Sequence, residues 1–487
     1  MPILFVSIVT GLGVGTIDLF AQSSDQAPVG KREVVSRIVD RNGAEIERSL
    51  TGRFGYIYEQ VRREATEIIG IEEFDSGGFL IETTIDSDLQ TVATDAMLDQ
   101  VAAVEKHPAF TGQTLVEYQE IKEKHRGSSS IARLPAPKYL QTAMILIDNE
   151  TGAVLAKVGG RDFQDTMFDR SEMGRFTEGT IFTPFVYAAA FENGFFPGTI
   201  LSDTPMSGKK VMLGSLSGNL GEWGAEDVNH RYEKTVTARE ALAKGKNAAT
   251  IRIGEKAGLQ NIVALAETAG LTFFGDLKKF NATMLGRNSS SLSEIAKAYS
   301  IFPRQGATLK STPIISRIRD AKGNTVYKNP AVESAEKAVD QYTAFQINSL
   351  LVDSFKTGTA KKAREIYGLG DYPVAGKTGT TSGFTDNWFA GYTSRVTCVA
   401  WIGFDQQREI YSNALSSETV LPAWVKIMNA AAKITNPQPF QPPSDAVKVE
   451  ICTDSGELAC EKCQETSVEF LRPGSSLKAC HIHDPGL

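Results

Sequence analysis

The densest chemistry in the sequence lies in Gly376-Lys377-Thr378-Gly379-Thr380-Thr381, which runs on through Asp386 into Asn387-Trp388-Phe389-Ala390-Gly391-Tyr392. One ammonium and several hydroxyls in so short a run are donors suited to an anion. A bare Lys-Thr-Gly triplet says little, because it recurs at Lys356-Thr357-Gly358-Thr359. Only the second copy leads into an aromatic strand pair, so the expectation rests on that copy and the first is taken as chance. A different chemistry closes the chain. Cys398 stands alone, whereas Cys452, Cys460, Cys463 and Cys480 gather near the end with His481 and His483. The Cys460-x-x-Cys463 pair followed by Cys480-His481-Ile482-His483 offers ligand types suited to tetrahedral zinc. In an exported chain, four clustered cysteines are instead expected to form disulfides, and a pair that includes Cys463 and Cys480 is the preferred bridge.

These residues need elements to hold them. The sequence has 487 residues, 41% of them hydrophobic and 22% charged, which is globular composition with room for one large core plus smaller attachments. A net charge of -7 gives no basic field for a polyanion, so nucleic acid is not an expected partner. Pro2 to Ile17 is free of charges and apolar, and Asp18 interrupts it. A bilayer-spanning helix needs about 20 apolar residues, so residues 1–30 read as a membrane anchor or a cleaved signal, with the anchor preferred. No Lys or Arg precedes Lys31 and Arg32, so the usual basic flank is missing. Residues 31–78 form a short polar, helix-capable stretch, with a turn at Arg41-Asn42-Gly43 and helical spacing from Ile57 to Ile71, and read as a pedestal.

Residues 79–437 alternate strands with helices. Thr142 to Asp148 and Ala153 to Val158 flank Asn149-Glu150-Thr151-Gly152 as a hairpin. Helical stretches follow at Phe182 to Asn193, Thr237 to Ala248 and Leu292 to Phe302, and two strands at Asn387 to Tyr392 and Thr397 to Ile402. The class is α+β, a sheet supporting a helical lobe. A Pro-rich linker from Asn436 to Pro443 separates this body from the cysteine-rich extension, 444–487.

With its context, the second triplet resembles that of the transpeptidase domain of class A penicillin-binding proteins. Thr83-Thr84-Ile85-Asp86 with Leu89-Gln90 is similar to the opening of that domain, and Val158-Gly159-Gly160-Arg161-Asp162-Phe163 to its strand-to-loop segment. Leu292 to Phe302, with Ala298-Tyr299, is similar to its second helical signature. Phe470-Leu471-Arg472-Pro473-Gly474 before Cys480 and His483 resembles its C-terminal extension. The likeness runs from about Arg32 to the end, and no stretch of the sequence matches the glycosyltransferase domain that class A members carry. It implies the penicillin-binding protein/serine β-lactamase-like fold, in which the triplet opens an edge strand that receives the substrate peptide.

The departures from the family pattern bear on chemistry. Where the family has Ser-x-x-Lys at the start of a helix, this sequence has Thr180-Ile181-Phe182-Thr183, so Thr180 takes the serine position and Thr183 the lysine position. A hydroxyl is a weak nucleophile until a nearby base removes its proton, and a threonine hydroxyl at 183 is no such base near neutral pH. Gly245-Lys246-Asn247 takes the place of Ser-x-Asn, which leaves Asn247 and Lys377 as the retained members. The resemblance implies backbone donors at Thr180 and Thr380 for an oxyanion, and Lys377, Thr378 and Thr380 as holders of a peptide carboxylate. Gly379 also admits a packing explanation.

The expected function is that of a noncatalytic envelope protein. It would sit on the periplasmic face of the inner membrane and bind peptidoglycan stem peptides, cell-wall synthesis proteins or β-lactams without acylation. The alternative is a peptidoglycan D,D-transpeptidase acylated on Thr180, with Lys377 or Lys246 as base. No cofactor or metal is implied for the site. Ser207-x-x-Lys210 and Ser475-x-x-Lys478 read as chance, and Ser171 as a loop serine. His107, His125 and His230 read as surface residues, the four tryptophans as core, and Lys361-Lys362 with Arg364 as a solvated face.

Overall fold

A computed structural model of the chain describes residues 36–46, 52–125, 134–204, 206, 232–275, 281–330 and 336–484. The N-terminal apolar stretch lies outside these residues, as do Trp223, His230 and Ser207-x-x-Lys210. Among the described residues no helix is long and apolar enough to cross a membrane.

The hairpin and the aromatic strands join in one antiparallel five-stranded sheet. Its order is Ala375–Thr380, Asp386–Tyr392, Val396–Gly403, Gln141–Asp148, Val154–Val158. Every residue of Val396–Gly403 is buried, because both faces of the sheet are covered. Alternate side chains therefore serve two cores. Ala143, Ile145, Ile147, Val399 and Trp401 face a core shared with Phe185, Ile251 and Ile295 of the helical lobe. Met144, Leu146, Cys398, Ala400 and Ile402 face another, shared with Met97 and Trp424 of the helices Ser87–Glu105 and Leu421–Thr435. This two-sided burial explains why the strands read as continuous apolar runs. Trp388, Trp401 and Trp424 are fully buried, and their indole N–H groups donate to Thr177 O, Asp386 Oδ1 and Cys398 O.

The pedestal stretch does not stand alone. Arg37–Val39 pairs in parallel with Leu80–Thr83, and the hairpin Ile315–Arg319/Thr325–Lys328 completes a four-stranded sheet. The helix Gly55–Ile69 buries Ile57, Val61 and Ala65 at helical spacing. Asp86, at the end of the domain-opening motif, caps the helix Ser87–Glu105 by accepting from Leu89 N at 3.1 Å.

Two expectations change. The helix expected from Thr237 to Ala248 is two helices, Ala238–Lys244 and Asn247–Ala257. Gly245 breaks it by adopting a left-handed conformation, φ +71°, that caps the first. The second change concerns the cysteines, all five of which are free thiols. Cys463 and Cys480, the expected bridge, are unbonded in the structure, and their sulfurs lie with Cys452 Sγ and a His483 ring nitrogen within 4.8 Å of one another. These residues belong to a small extension whose hairpin, Val447–Cys452/Thr466–Leu471, docks on the helical lobe. Arg239 there binds Glu469 at 2.7 Å and Asp353 at 2.6 Å, and Phe470 meets Phe345 edge to face.

Candidate active-site cleft

Thr180 sits on a 3-10 turn, Gly179–Phe182, that runs directly into the helix Thr183–Glu192, with Pro184 in the helix's first turn, where its missing N–H costs nothing. The turn packs against Ala375–Thr380, the edge strand of the sheet that carries the lysine triplet. A side chain on Gly379 would place its Cβ 2.2 Å from Ile181 Cγ2, so the packing explanation for this glycine holds. Between the turn, the strand and the two helices that meet at Gly245 lies a cleft of about 320 Å³. Thr180, Gly245, Asn247, Lys377, Thr378 and Thr380 all line it, so the fold gathers most of the residues nominated from sequence. A second recess of about 240 Å³ continues past Thr180, Asn247 and Thr380 toward Arg287. Thr183 and Gly379 lie beneath the surface, among neither set of lining residues.

The hydroxyls are committed to the protein itself. Thr183 Oγ1 donates to the Thr180 carbonyl at 2.9 Å, the local back-bonding typical of a helical threonine. Thr180 Oγ1 donates to the Thr378 carbonyl at 3.2 Å, and Lys377 Nζ donates to the same oxygen at 3.0 Å. Both lone pairs of one edge-strand carbonyl are thus occupied, and the nominated nucleophile and the retained lysine are neighbours across it. Lys377 is 1% exposed, and burial lowers its ammonium pKa to about 8. Lys246 behaves in the opposite way. Burial lowers its pKa, but Asp203 and Glu233, each 3.1 Å from Nζ, more than offset this and hold it above the ordinary value. Lys246 is therefore held as an ion-paired cation.

Several contributors escaped the sequence. Thr378 Oγ1 donates at 2.8 Å to Thr359 Oγ1, which belongs to the triplet copy taken as chance and which lines the cleft. Ser416 Oγ donates to Gly379 O, so the 2.7 Å contact between Thr380 Oγ1 and Ser416 Oγ has Thr380 as donor. Lys361 and Lys362, read as a solvated face, line the cleft with Lys244; Lys362 is paired with Glu418 and Lys244 with Glu240. Glu178, directly before the turn, is fully buried. Burial raises its carboxyl to about 7, against hydrogen bonds from Ser290 Oγ at 2.6 Å and Asn288 Nδ2 at 2.8 Å. Ser416 and Glu178 carry no local pattern and Thr359 lies in the triplet copy that leads into no aromatic strand; each acts through a contact with a distant segment. Ser171 is in a buried bond to Asp169, away from the cleft lining.

Residues 142–420 match the family described as the penicillin binding protein transpeptidase domain. Among curated relatives, penicillin-binding protein 1A of Neisseria flavescens is 29% identical over 356 residues, 72% of this chain and 43% of the relative. The Rickettsia typhi protein of the same name is 26% identical, covering 86% of this chain and 62% of its own length. The chain thus spans less than two thirds of these relatives. Among solved structures, penicillin-binding protein 1A from Haemophilus influenzae superposes with a TM-score of 0.73 at 20% identity, covering 87% of this chain and 77% of that one. PonA1 from Mycobacterium tuberculosis in complex with penicillin V gives 0.59 at 22%, covering 81% and 97%. With a fold shared by these structures and a family match over more than half its length, the chain belongs to the penicillin-binding protein transpeptidase family.

Proposed function

We propose that this chain is a noncatalytic transpeptidase relative that keeps the cleft to bind the carboxylate ends of peptidoglycan stem peptides or segments of cell-wall synthesis proteins, and that holds β-lactams without acylation. The observation that carries this reading is the hydroxyl at 183. It stands where the family pattern has the lysine base, and its proton is spent on the Thr180 carbonyl. Losing a positioned base lowers a rate by roughly 10² to 10⁴, and disabling a nucleophile unit in a hydrolase by about 10⁶. Binding depends on other groups. Lys377 is cationic below about pH 8, Lys361 adds a cation at the rim, and the unpaired side of Ala375–Thr380 accepts an added strand. Thr378 and Thr380 must rotate their hydroxyls from Thr359 and Ser416 toward the guest. The same proposal places the body in the cell envelope at the periplasmic face, with residues 1–30 as anchor and 31–78, 79–437 and 444–487 as pedestal, body and extension.

Calorimetric titration with a pentapeptide ending in D-alanyl-D-alanine, together with an assay for released D-alanine, tests this reading. Saturable binding that weakens in Lys377→Met and as pH rises through about 8, with no D-alanine released, is the expected result. D-Alanine release that disappears in Thr180→Ala would overturn it. A second reading has one specific support, the carbonyl shared by Thr180 and Lys377. Lys377 as base would give release that increases through about pH 8 and vanishes in Lys377→Met.

A further inference from the structure

The C-terminal extension brings together four side chains that no local motif groups. Cys452 ends one strand of the hairpin, Cys463 lies in the connection to the next, and Cys480 and His483 follow the second strand. Cys452 and Cys480 are buried, Cys463 and His483 half-buried, and one ligand atom from each lies within 4.8 Å of all the others. His483 Nδ1 is 3.4 Å from both Cys452 Sγ and Cys480 Sγ. Zinc–sulfur bonds of about 2.3 Å and zinc–nitrogen bonds of about 2.0 Å at tetrahedral angles set sulfur–nitrogen edges of about 3.5 Å, so His483 stands from two of the sulfurs as ligands around one ion do. A disulfide would place two sulfurs about 2.0 Å apart and leave the histidine without a part.

We propose that Cys452, Cys463, Cys480 and His483 form a closed structural site for one zinc ion. Three thiolates and an imidazole match the donor preference of zinc, and four protein ligands leave no open position for chemistry. The surroundings suit ligation. The other ring nitrogen of His483, Nε2, lies 3.5 Å from Asp454 Oδ2, the arrangement by which a carboxylate orients a ligating imidazole. Cys460 N–H donates to Cys463 Sγ at 3.3 Å and Ser455 Oγ to Cys480 Sγ at 3.4 Å, both directed at sulfurs that carry charge when metal is bound. The geometry also separates residues that spacing joins. Cys460 lies outside the four, 3.5 Å from Cys463 Sγ, and His481 is taken by Glu457 at 2.6 Å. The ion has a structural task. A two-stranded hairpin is marginal by itself, and the apolar core here is little more than Ile451 and Leu471. One ion ties the strand end, the connection and the tail together.

The test is metal analysis of the full chain purified without chelator, by plasma mass spectrometry and native mass, with thiols counted after denaturation. One zinc per chain and five reactive thiols are expected. Zinc is retained in Cys460→Ser and His481→Ala and lost in Cys463→Ser and His483→Ala. Should those last variants fail to fold, cobalt(II) titration of the chelator-stripped native chain decides: one equivalent must give tetrahedral d–d bands with thiolate charge-transfer absorption. A metal-free chain with Cys398 as its one reactive thiol would overturn the proposal in favour of two disulfides. So would a cobalt spectrum lacking thiolate absorption, or zinc lost in Cys460→Ser but kept in Cys463→Ser.

Discussion

The cleft and the C-terminal extension are built in opposite ways. In the cleft the scaffold is elaborate. A buried sheet, two cores and several helices bring Thr180, Asn247 and Lys377 to one surface, yet Thr180 and Thr183 direct their hydroxyls at backbone carbonyls. In the extension the scaffold is one hairpin with a small core, yet three sulfurs and an imidazole converge. The cleft thus owes its shape to a large buried scaffold, whereas the extension sets four potential ligand side chains on a small one. Helices span the two regions: Thr183–Glu192 runs from the cleft turn to Glu192, 3.2 Å from Arg472 of the extension. Ala238–Lys244 carries Arg239 to the extension at its start and ends at Gly245 in the cleft.

That shared helix supplies the sharpest mechanical test. Arg239→Ala leaves Glu469, 2% exposed, without its cation, and breaking such a pair costs about 3–5 kcal/mol. Urea unfolding followed by tryptophan fluorescence reads the loss, and metal content stays unchanged if the extension is held together by its own ligands. A loss under about 1 kcal/mol would show that this ion pair does not couple the extension to the lobe.

A smaller effect concerns the cleft alone. Burial depresses Lys377 from the ordinary 10.5 to about 8, so between these values the unfolded chain binds more protons than the folded one. Stability contributed by this group therefore rises with pH across that window, by up to about 3 kcal/mol, and below pH 8 the buried ammonium imposes its full penalty. Lys377→Met removes the slope and raises stability at pH 7, which paired unfolding curves at pH 7 and 10 measure. An unchanged slope would place Lys377 in a wetter cleft than the one described.

How much of this was legible in the sequence depends on whether a signal was local. The aromatic strands, the hairpin at Asn149 to Gly152 and the helix from Leu292 carry their periodicity in adjacent residues, and they form as expected. The pedestal's completion by Ile315–Lys328 was hidden, because pairing between distant segments leaves no local pattern. The break at Gly245 was readable in principle from a glycine followed by a polar pair, but helical spacing on both sides masked it. Thr180, Lys377 and Asn247 each sit in a motif with its context, whereas Thr359 sits in a triplet copy without the aromatic strands that would single it out. Spacing grouped Cys460 with Cys463 and His481 with His483, while the turns take one member from each pair.

The central claim, that the cleft is formed but lacks its chemistry, meets its most direct test in intact mass after incubation with a penicillin. The natural chain and Thr180→Ser/Thr183→Lys are treated side by side, with Thr180→Ala as control. The account predicts no covalent adduct on the natural chain and an adduct mapping to position 180 in the double variant. A stable adduct on Thr180 of the natural chain, absent in Thr180→Ala, would contradict it and make this protein an acyl-threonine enzyme.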